Sequence, residues 1–464
     1  MQGCRRVERE YMREEERKRQ FERSDLIGLK NGMTVKCSEK SQWKAMNENY
    51  GYSFYYANSY LAPWLRRSPL HYGAWLIMSM YNTFSVSSWM FILCKSVILR
   101  PRNFQILTEC THMIILLILL LSGVFNTKYR KAELERILRA VGEDIYKYGD
   151  TLDEETAEVL KQIKEKTFQQ KQSLSKVVNI IIISVTVAHT TLRPLADLFT
   201  SDRIYQPDEP DGITHVLSMD VYYPMKLYNS VPAIILAYTH LLLIFFWGGN
   251  VVVSAAVTFI CYSHTLCGEY RILCVTTRRL VERAKAMFHR ENPDKPFISF
   301  KNDIIFERCL RRALKDSVKH QQKLTQFADD IKVLYYYVIL TGLLCITALL
   351  CFGGIVFTVK DPPIATLALY IMFLSGELYL LLLFCVYGGM IRDLSMQVGQ
   401  KVYFSDWTEY VSMIKTDLLI MQTSSQMPRG ISAGGFHYIE FSTFSDVTSS
   451  AFSYFNIVNA VRKD

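Results

Sequence analysis

The sequence predicts an all-α membrane protein with seven transmembrane helices, a cytosolic amino terminus and an extracellular carboxyl terminus. Of its 464 residues, 50% are hydrophobic, and they are gathered into long blocks instead of being spread as in a soluble protein. Six blocks reach about 22 residues or more, enough to cross about 30 Å of hydrocarbon. They are residues 77–98, 104–125, 177–199, 231–262, 333–358 and 364–390.

Residues 1–72 precede these blocks and are predicted to form a cytosolic tail with a lead-in to the membrane. The tail opens with the mixed charges of CRRVEREYMREEERKRQ and lacks a short apolar core, so no signal peptide is expected. ANSYLAPWLRRSPLHYGAW then combines aromatic and basic residues, which is typical of a membrane–water interface. Both features place the amino terminus in the cytosol.

The distribution of basic residues supports this orientation. About 14, 11 and 14 Lys or Arg residues fall in the three segments that it places in the cytosol, 1–72, 126–176 and 263–331. The longest segment placed outside, 200–227, has about two basic and five acidic residues, and the turn with Arg100 and Arg102 is an exception. The net charge of +9 therefore reflects membrane topology, with basic residues facing anionic lipid, and nucleic-acid binding is not expected.

The remaining boundaries follow from the blocks. Residues 73–262 are predicted to hold helices 1–4 with a ligand pocket in their outer half, and 332–393 to hold helices 5 and 6. Between them, 263–331 form a cytosolic helical loop, in which ENPDKP separates two charged helices. Residues 394–464 are predicted to form a cytosolic helix, a break at MPRGISAGG and a final membrane helix.

The final helix has polar residues where lipid would favour leucine. They recur three or four positions apart and so lie on one face, at Ser442, Ser445, Ser449, Ser453, Asn456 and Asn459. A helix beside a water-filled pore tolerates such a face, and so does a helix packed against other helices. The spacing leaves both interpretations open.

Aromatic and small polar residues are concentrated in the outer halves of several predicted helices. They are typical of an apolar pocket in which a few polar groups orient a small ligand, although ordinary helix packing accounts for them equally well. The candidates are Thr108, His112, Thr186, His189, Thr190, Ile235, Tyr238, Tyr370, Phe373 and Glu377.

Motifs of enzyme chemistry are absent from the sequence. It has no glycine-rich phosphate loop, HExxH or GxSxG, and no Cys and His spacing typical of zinc, so we expect no catalytic residue, metal or cofactor. A seven-helix receptor coupled to G proteins is a competing hypothesis. It conflicts with the cytosolic amino terminus and with the lack of DRY-like and NPxxY motifs.

Three stretches resemble the insect odorant receptors: YYPMKLYNSVPAIILAY before and into the fourth block, YGGMIRDLSMQVGQKVYFSDW after the sixth, and LLIMQTSSQMPRGISAGGFHYIEFSTFSDVTSSAFSYF at the end. The resemblance implies a non-selective cation channel in the plasma membrane of a sensory neuron, opened directly by a small volatile odorant. Gustatory receptors share that fold and are the alternative, but the ending SYFNIVNAV is closer to odorant receptors.

The resemblance also implies roles in the pore. The final helices of four subunits are expected to surround it, and matching SYF places its narrowest point near Ile457. Asn456 or Asn459 would flank that point, with Ser453 and Ala460 one turn away on either side.

The same resemblance implies an assembly. Tyr403 and Trp407 are expected in the cytosolic anchor between subunits. No long insertion of the kind associated with the olfactory co-receptor occurs within 263–331, which favours a ligand-tuned subunit. Such a subunit would form a homotetramer or a heterotetramer with the co-receptor.

Overall fold

A computed structural model describes residues 48, 50, 69–200, 207–214, 217, 219–293, 303–358 and 364–463. Within them the chain forms ten α-helices: α1 (Pro69–Leu99), α2 (Phe104–Tyr129), α3 (Lys131–Glu143), α4 (Glu154–Thr200), α5 (Val231–Arg278), α6 (Leu280–Glu291), α7 (Ile304–Ile355), α8 (Ile364–Tyr403), α9 (Val411–Ser425) and α10 (Phe441–Lys463). Two antiparallel hairpins pair β1 (Ile213–Thr214) with β2 (Val221–Tyr222), and β3 (Ser432–Ala433) with β4 (His437–Tyr438). The predicted tail and interfacial lead-in lie outside the described residues, apart from Glu48, Tyr50 and the start of α1.

Six of the described helices are long and apolar enough to cross a membrane, namely α1, α2, α4, α5, α7 and α8. They coincide with the six predicted blocks. The tail helix α10 is not among them, because serine and asparagine lower its hydropathy. The seventh crossing therefore stays a prediction.

Several of these helices are longer than a bilayer needs. The 52 residues of α7 extend about 78 Å at 1.5 Å per residue, more than twice the hydrocarbon thickness. The predicted boundaries after residues 262, 331 and 393 consequently lie inside α5, α7 and α8. The second helix instead stops at Tyr129 and continues as the separate helix α3, because Arg130 leaves the helical conformation at φ −98° and ψ 36°.

One end of the bundle, here called the Asn103 end, is where α2 begins. The Asn103 side chain accepts a hydrogen bond from the Ile106 amide at 3.2 Å and caps the helix. Residues of α1, α2 and α5 pack there against the β1–β2 hairpin in an apolar cluster that includes Trp89, Leu93 and Val221. The α4–α5 connection thus covers this end of the bundle.

The same connection pairs with the basic turn after α1. The Arg100 guanidinium bonds to Asp211 at 2.8 Å and also pairs with Glu209, and this bonding lowers the pKa of Asp211 below its usual range. These ion pairs tie the turn to the α4–α5 connection.

The opposite end, here called the Tyr129 end, contains a buried arginine on α6. The Arg283 side chain is fully buried and donates four hydrogen bonds of 3.1 Å, to the carbonyl oxygens of Thr151 and Thr276 and to the hydroxyls of Thr151 and Ser317. Its guanidinium also lies 5.0 Å from the centre of the Tyr148 ring, and burial lowers the pKa of Arg283. The arginine joins α5, α6 and α7 to the segment before α4.

The predicted break before the last helix is confirmed. Helix α9 ends at Ser425, and the β3–β4 hairpin separates it from α10. Gly434 and Gly435 have φ of 56° and 76°, a conformation that suits glycine. Gly388 on α8 lets this region approach closely, because a Cβ atom there would lie 3.0 Å from the Ile439 carbonyl carbon and closer still to its oxygen.

A candidate ligand cavity and the tail helix

A cavity of about 250 Å³ lies in the middle of the bundle. Helices α2, α4, α5, α7 and α8 form its wall, with Trp89 of α1 and Ile439 completing it. Most of the lining side chains are Leu, Ile, Val, Ala or Phe, so the cavity suits a small apolar molecule. On α2 its lining residues run from Met113 to Gly123, and on α8 from Phe373 to Phe384.

Three of the ten predicted ligand residues line this cavity: Thr186, Phe373 and Glu377. Thr186 lies on α4 and donates its hydroxyl to the Ile182 carbonyl at 2.9 Å. Phe373 and Glu377 lie one helical turn apart on α8. The two helices therefore bring an aromatic ring, a hydroxyl and a carboxylate to one apolar space.

Three further predicted residues form the boundary of the cavity toward the Asn103 end. The buried His112 ring lies 5.4 Å from Tyr370 and 5.7 Å from Phe373 between ring centres. His189 lies 5.3 Å from Phe373 and 4.1 Å from Phe245. His112, His189, Tyr370 and Phe373 together form what we call the aromatic layer.

Glu377 connects this layer to the cavity. Its Oε1 atom lies 3.3 Å from Nε2 of His112, but among the residues that the structure describes neither carboxylate oxygen has a hydrogen-bond partner of good geometry. Both side chains are nine-tenths buried or more. Burying ionisable groups is costly without pairing, so this contact marks the polar point of an otherwise apolar site.

The other four predicted ligand residues are not brought to the cavity wall. Thr108 and Thr190 are buried, and each donates its hydroxyl to a carbonyl of its own helix. Tyr238 is half-buried and packs against the apolar cluster at the Asn103 end. Ile235 is 61% exposed. The cavity lies deeper in the bundle than the outer halves that the sequence singled out.

Sequence reasoning missed most of the lining because the residues are ordinary ones. Trp247, Val251, Ile346 and Leu380 have the composition of any apolar membrane helix. A Gly-Gly pair at Gly248 and Gly249 is the clearest signal in hindsight, since both glycines line the cavity. Within the described ranges, no group of three His, Cys, Asp or Glu side chains could hold a metal ion.

The tail helix α10 turns its apolar face toward α7 and α8. Val447 and Ala451 are buried, and Phe455 lies close to Gly354 of α7. The polar stripe lies on the opposite side: Ser442, Ser445, Ser449, Ser453 and Asn456 are exposed, and Asn459 is half-buried. The stripe is therefore not used to pack α10 against its own chain.

Most of the other residues predicted in the pore and the anchor are exposed too, but Trp407 is half-buried against the core. Ile457 is 58% exposed, and Ala460 is exposed as well. Tyr403 at the end of α8 is 68% exposed, and its carbonyl accepts a hydrogen bond from the Trp407 indole at 3.2 Å.

The cavity and the tail helix meet at Ile439. This residue lines the cavity and is 1% exposed, and its amide bonds to the Ile431 carbonyl at 2.9 Å. It lies two positions before the start of α10. One buried side chain thus belongs to the cavity wall and to the segment that leads into the tail helix.

Comparison with known proteins identifies the family. A family model described as 7tm Odorant receptor matches residues 103–452. Odorant receptor 67c of Drosophila melanogaster is 24% identical over 208 residues, which are 44% of this chain and 47% of that protein. The chain spans less than half the length of the curated Drosophila relatives that it matches first.

Solved structures show the same fold. The insect olfactory receptor OR5 from Machilis hrabei superposes with a TM-score of 0.66 at 11% identity, covering 84% of this chain and 90% of that one. The same receptor in complex with eugenol gives 0.65 at 12% identity, covering 85% and 91%. The helical bundle, the six apolar spans and the family match over most of the chain lead to one conclusion. This chain belongs to the 7tm odorant receptor family.

Proposed function

We propose that this chain is the ligand-tuned subunit of an odorant-gated, non-selective cation channel. It would lie in the plasma membrane as a multi-pass protein and open when a small volatile molecule enters the central cavity. The observation that carries the proposal is the position of Ile439, which belongs both to the cavity wall and to the lead-in of the helix that we assign to the pore.

The cavity supports the ligand part of the proposal. Its volume and apolar lining suit a small apolar molecule. The similar receptor from Machilis hrabei was solved with eugenol, also a small and largely apolar molecule. We transfer the binding of a small molecule, and not eugenol itself; its place in the cavity is proposed from the lining of this chain.

Gating would follow from differential binding. A ligand shifts a conformational equilibrium only as far as it binds one state better than the other. A molecule that fits the cavity better when Ile439 moves would favour a displaced β3–β4 hairpin. Because the hairpin leads directly into α10, the displacement would be passed to the pore.

The proposed pore is built from α10 as a seventh crossing, with the amino terminus in the cytosol and the carboxyl terminus outside. The exposed stripe through Ser449, Ser453 and Asn456 supplies polar atoms for a water-filled passage. The apolar Ile457 beside it would form the narrowest point, flanked by Asn459 and Ala460.

Assembly into four subunits would create this pore. At the Tyr129 end, large apolar side chains are exposed at Tyr403, Phe404, Leu419 and Ile420, which is typical of a surface covered by another chain. These side chains, with Trp407, would anchor a homotetramer or a heterotetramer with a co-receptor.

Filling the cavity tests the ligand part. A Cβ atom on Gly376 would meet no other atom within 4 Å, although this glycine lines the cavity. Gly376→Leu should therefore fill the cavity without disturbing the helix and should abolish odorant-evoked current at normal surface expression. Gly73→Leu is the control, because Gly73 is equally open and does not line the cavity. An unchanged odorant response in Gly376→Leu would contradict the assignment.

Shortening the proposed gate tests the pore. Ile457→Ala should raise the leak current or alter ion permeation, because it widens an apolar constriction. Ile371→Ala is the matched control, since Ile371 is similarly exposed, at 57%, but lies on α8 and not on α10. Currents would be recorded with and without a co-receptor against an odorant panel. Identical permeation in both variants and the parent would exclude Ile457 from the pore.

A further inference from the structure

We infer that the cavity selects ligands that donate a hydrogen bond, such as an aliphatic alcohol, and that the Glu377 carboxylate accepts that bond. The inference rests on the proposed function and names the chemical class that the proposed cavity would take.

The lining of the cavity restricts where a polar ligand group can bond. Among its lining residues, only Thr186 and Glu377 carry a side-chain oxygen. The Thr186 hydroxyl already donates to the Ile182 carbonyl of its own helix. A hydroxyl that donates keeps its lone pairs, so both side chains can accept, but Glu377 stands out because neither of its oxygens has a hydrogen-bond partner of good geometry among the described residues.

Glu377 is also poorly satisfied where it stands. Its side chain is 9% exposed, and within the described part of the chain neither of its oxygens has a hydrogen-bond partner of good geometry. The Nε2 atom of His112 lies 3.3 Å from Oε1, which leaves the other oxygen open. A buried carboxylate oxygen without a donor loses the hydration that it has in water.

The chemistry of a carboxylate decides the ligand class. An ionised carboxylate only accepts hydrogen bonds, so a ligand hydroxyl replaces the lost hydration and an apolar tail fills the rest of the cavity. A ketone or ester offers lone pairs alone and leaves Glu377 unsatisfied. A carboxylic acid, ionised at neutral pH, offers no donor either and brings its own negative charge into an apolar site. Alcohols should therefore bind more tightly than ketones of equal length.

The binding test uses the purified full-length receptor and two homologous series, from pentanol to nonanol and from 2-pentanone to 2-nonanone. A bound ligand raises the thermal unfolding midpoint according to its affinity. We expect the tightest-binding alcohol to bind about tenfold or more tightly than the ketone of equal length, as for a hydrogen bond to a charged group. Equal stabilisation by both series, a preference for ketones, or no stabilisation by any alcohol would overturn the inference.

Three variants assign the preference to Glu377. Glu377→Gln keeps the shape and adds a donor, so the preference for alcohols should shrink toward equality through weaker alcohol binding and stronger ketone binding. Glu307→Gln makes the same change on α7 outside the cavity and should leave the preference unchanged. Loss of the preference in Thr186→Val would move the role to Thr186 and overturn the inference. A preference that survives Glu377→Gln would overturn the inference even if that variant binds normally.

The failure of this inference is distinguishable from that of the proposed function. If Gly376→Leu abolishes binding of both series while Glu377→Gln leaves their ratio unchanged, the cavity is the ligand site and Glu377 does not select. If Gly376→Leu leaves binding of both series intact, the cavity is not the site and both proposals fail.

Discussion

Two neighbouring glycines on α8 offer a sharp test of how closely this helix packs against the hairpin before α10. A Cβ atom on Gly388 would lie 3.0 Å from the carbonyl carbon of Ile439, with the carbonyl oxygen nearer still. On Gly389 the nearest atom would be the Cβ of Glu440, at 4.0 Å. Gly388→Ala should therefore force the hairpin away, whereas Gly389→Ala should be accommodated.

The magnitude follows from the geometry. Non-bonded atoms pack best at about 3.5–4.0 Å, and the Ile439 carbonyl oxygen would lie nearer than the carbon, so the backbone there must retreat by about 1 Å or more. Overpacking of this kind costs about 1–3 kcal/mol. Each substitution also gains about 0.5–1 kcal/mol from replacing glycine within a helix. That gain is common to both variants, so their difference in unfolding free energy should be about 1–3 kcal/mol.

The assay is thermal unfolding of the two purified variants in the same detergent at one heating rate, because membrane proteins of this size often unfold irreversibly. Gly389→Ala should unfold at or above the midpoint of the parent, and Gly388→Ala on the order of a few degrees below Gly389→Ala. Equal midpoints for the two variants, or a higher midpoint for Gly388→Ala, would refute the close approach of α8 to Ile439.

Two further predictions concern charges at the ends of the bundle. Arg283→Gln should lower the unfolding free energy by about 3 kcal/mol or more, because it removes donors from buried oxygens such as the Thr151 carbonyl. The control Arg279→Gln, at a more exposed arginine, should lower it by less than about 1 kcal/mol. Equal midpoints of the two variants in thermal unfolding would contradict the role of Arg283. Arg100→Met should lower stability at neutral pH. Since Arg100 lowers the folded-state pKa of Asp211 below the usual value of 3.8, the stabilisation is complete above that value and lost as the pH falls through the folded pKa. The unfolding midpoints of the parent and of Arg100→Met should therefore begin to converge below about pH 4 and meet once the pH is below the folded-state pKa of Asp211. A difference that persists there would exclude this ion pair as its source.

The six membrane helices and the break before α10 could be predicted because each rests on a local signal. Lipid requires long apolar blocks, and Pro428 with the glycines that follow it interrupts a helix. The cavity could not be predicted, because Leu, Ile and Val on a membrane helix look the same whether they face lipid, a neighbouring helix or an empty space. Three-dimensional packing alone separates Thr186 from Thr190, which share a residue type, a helix and a predicted role.

Arg283 shows that the burial of a charged residue could not be predicted from the sequence either. It lies in a charged stretch that the sequence assigns to a solvated cytosolic helix, yet its side chain is fully buried. Its partners come from segments far away in the chain, including Thr151 and Ser317. No local pattern distinguishes an arginine with such partners from one that faces water.

The exposure of the polar face of α10 disfavours one of its two interpretations, packing against helices of the same chain. Packing would have placed Ser445, Ser449 and Ser453 against neighbouring helices, but Val447 and Ala451 occupy that position and the serines are exposed. In lipid, each unsatisfied polar group would be costly. A face that disfavours lipid and is not covered by its own chain needs water or a second copy of the helix beside it. A passage enclosed by α10 from several copies provides both, which is why we assign this helix to the pore.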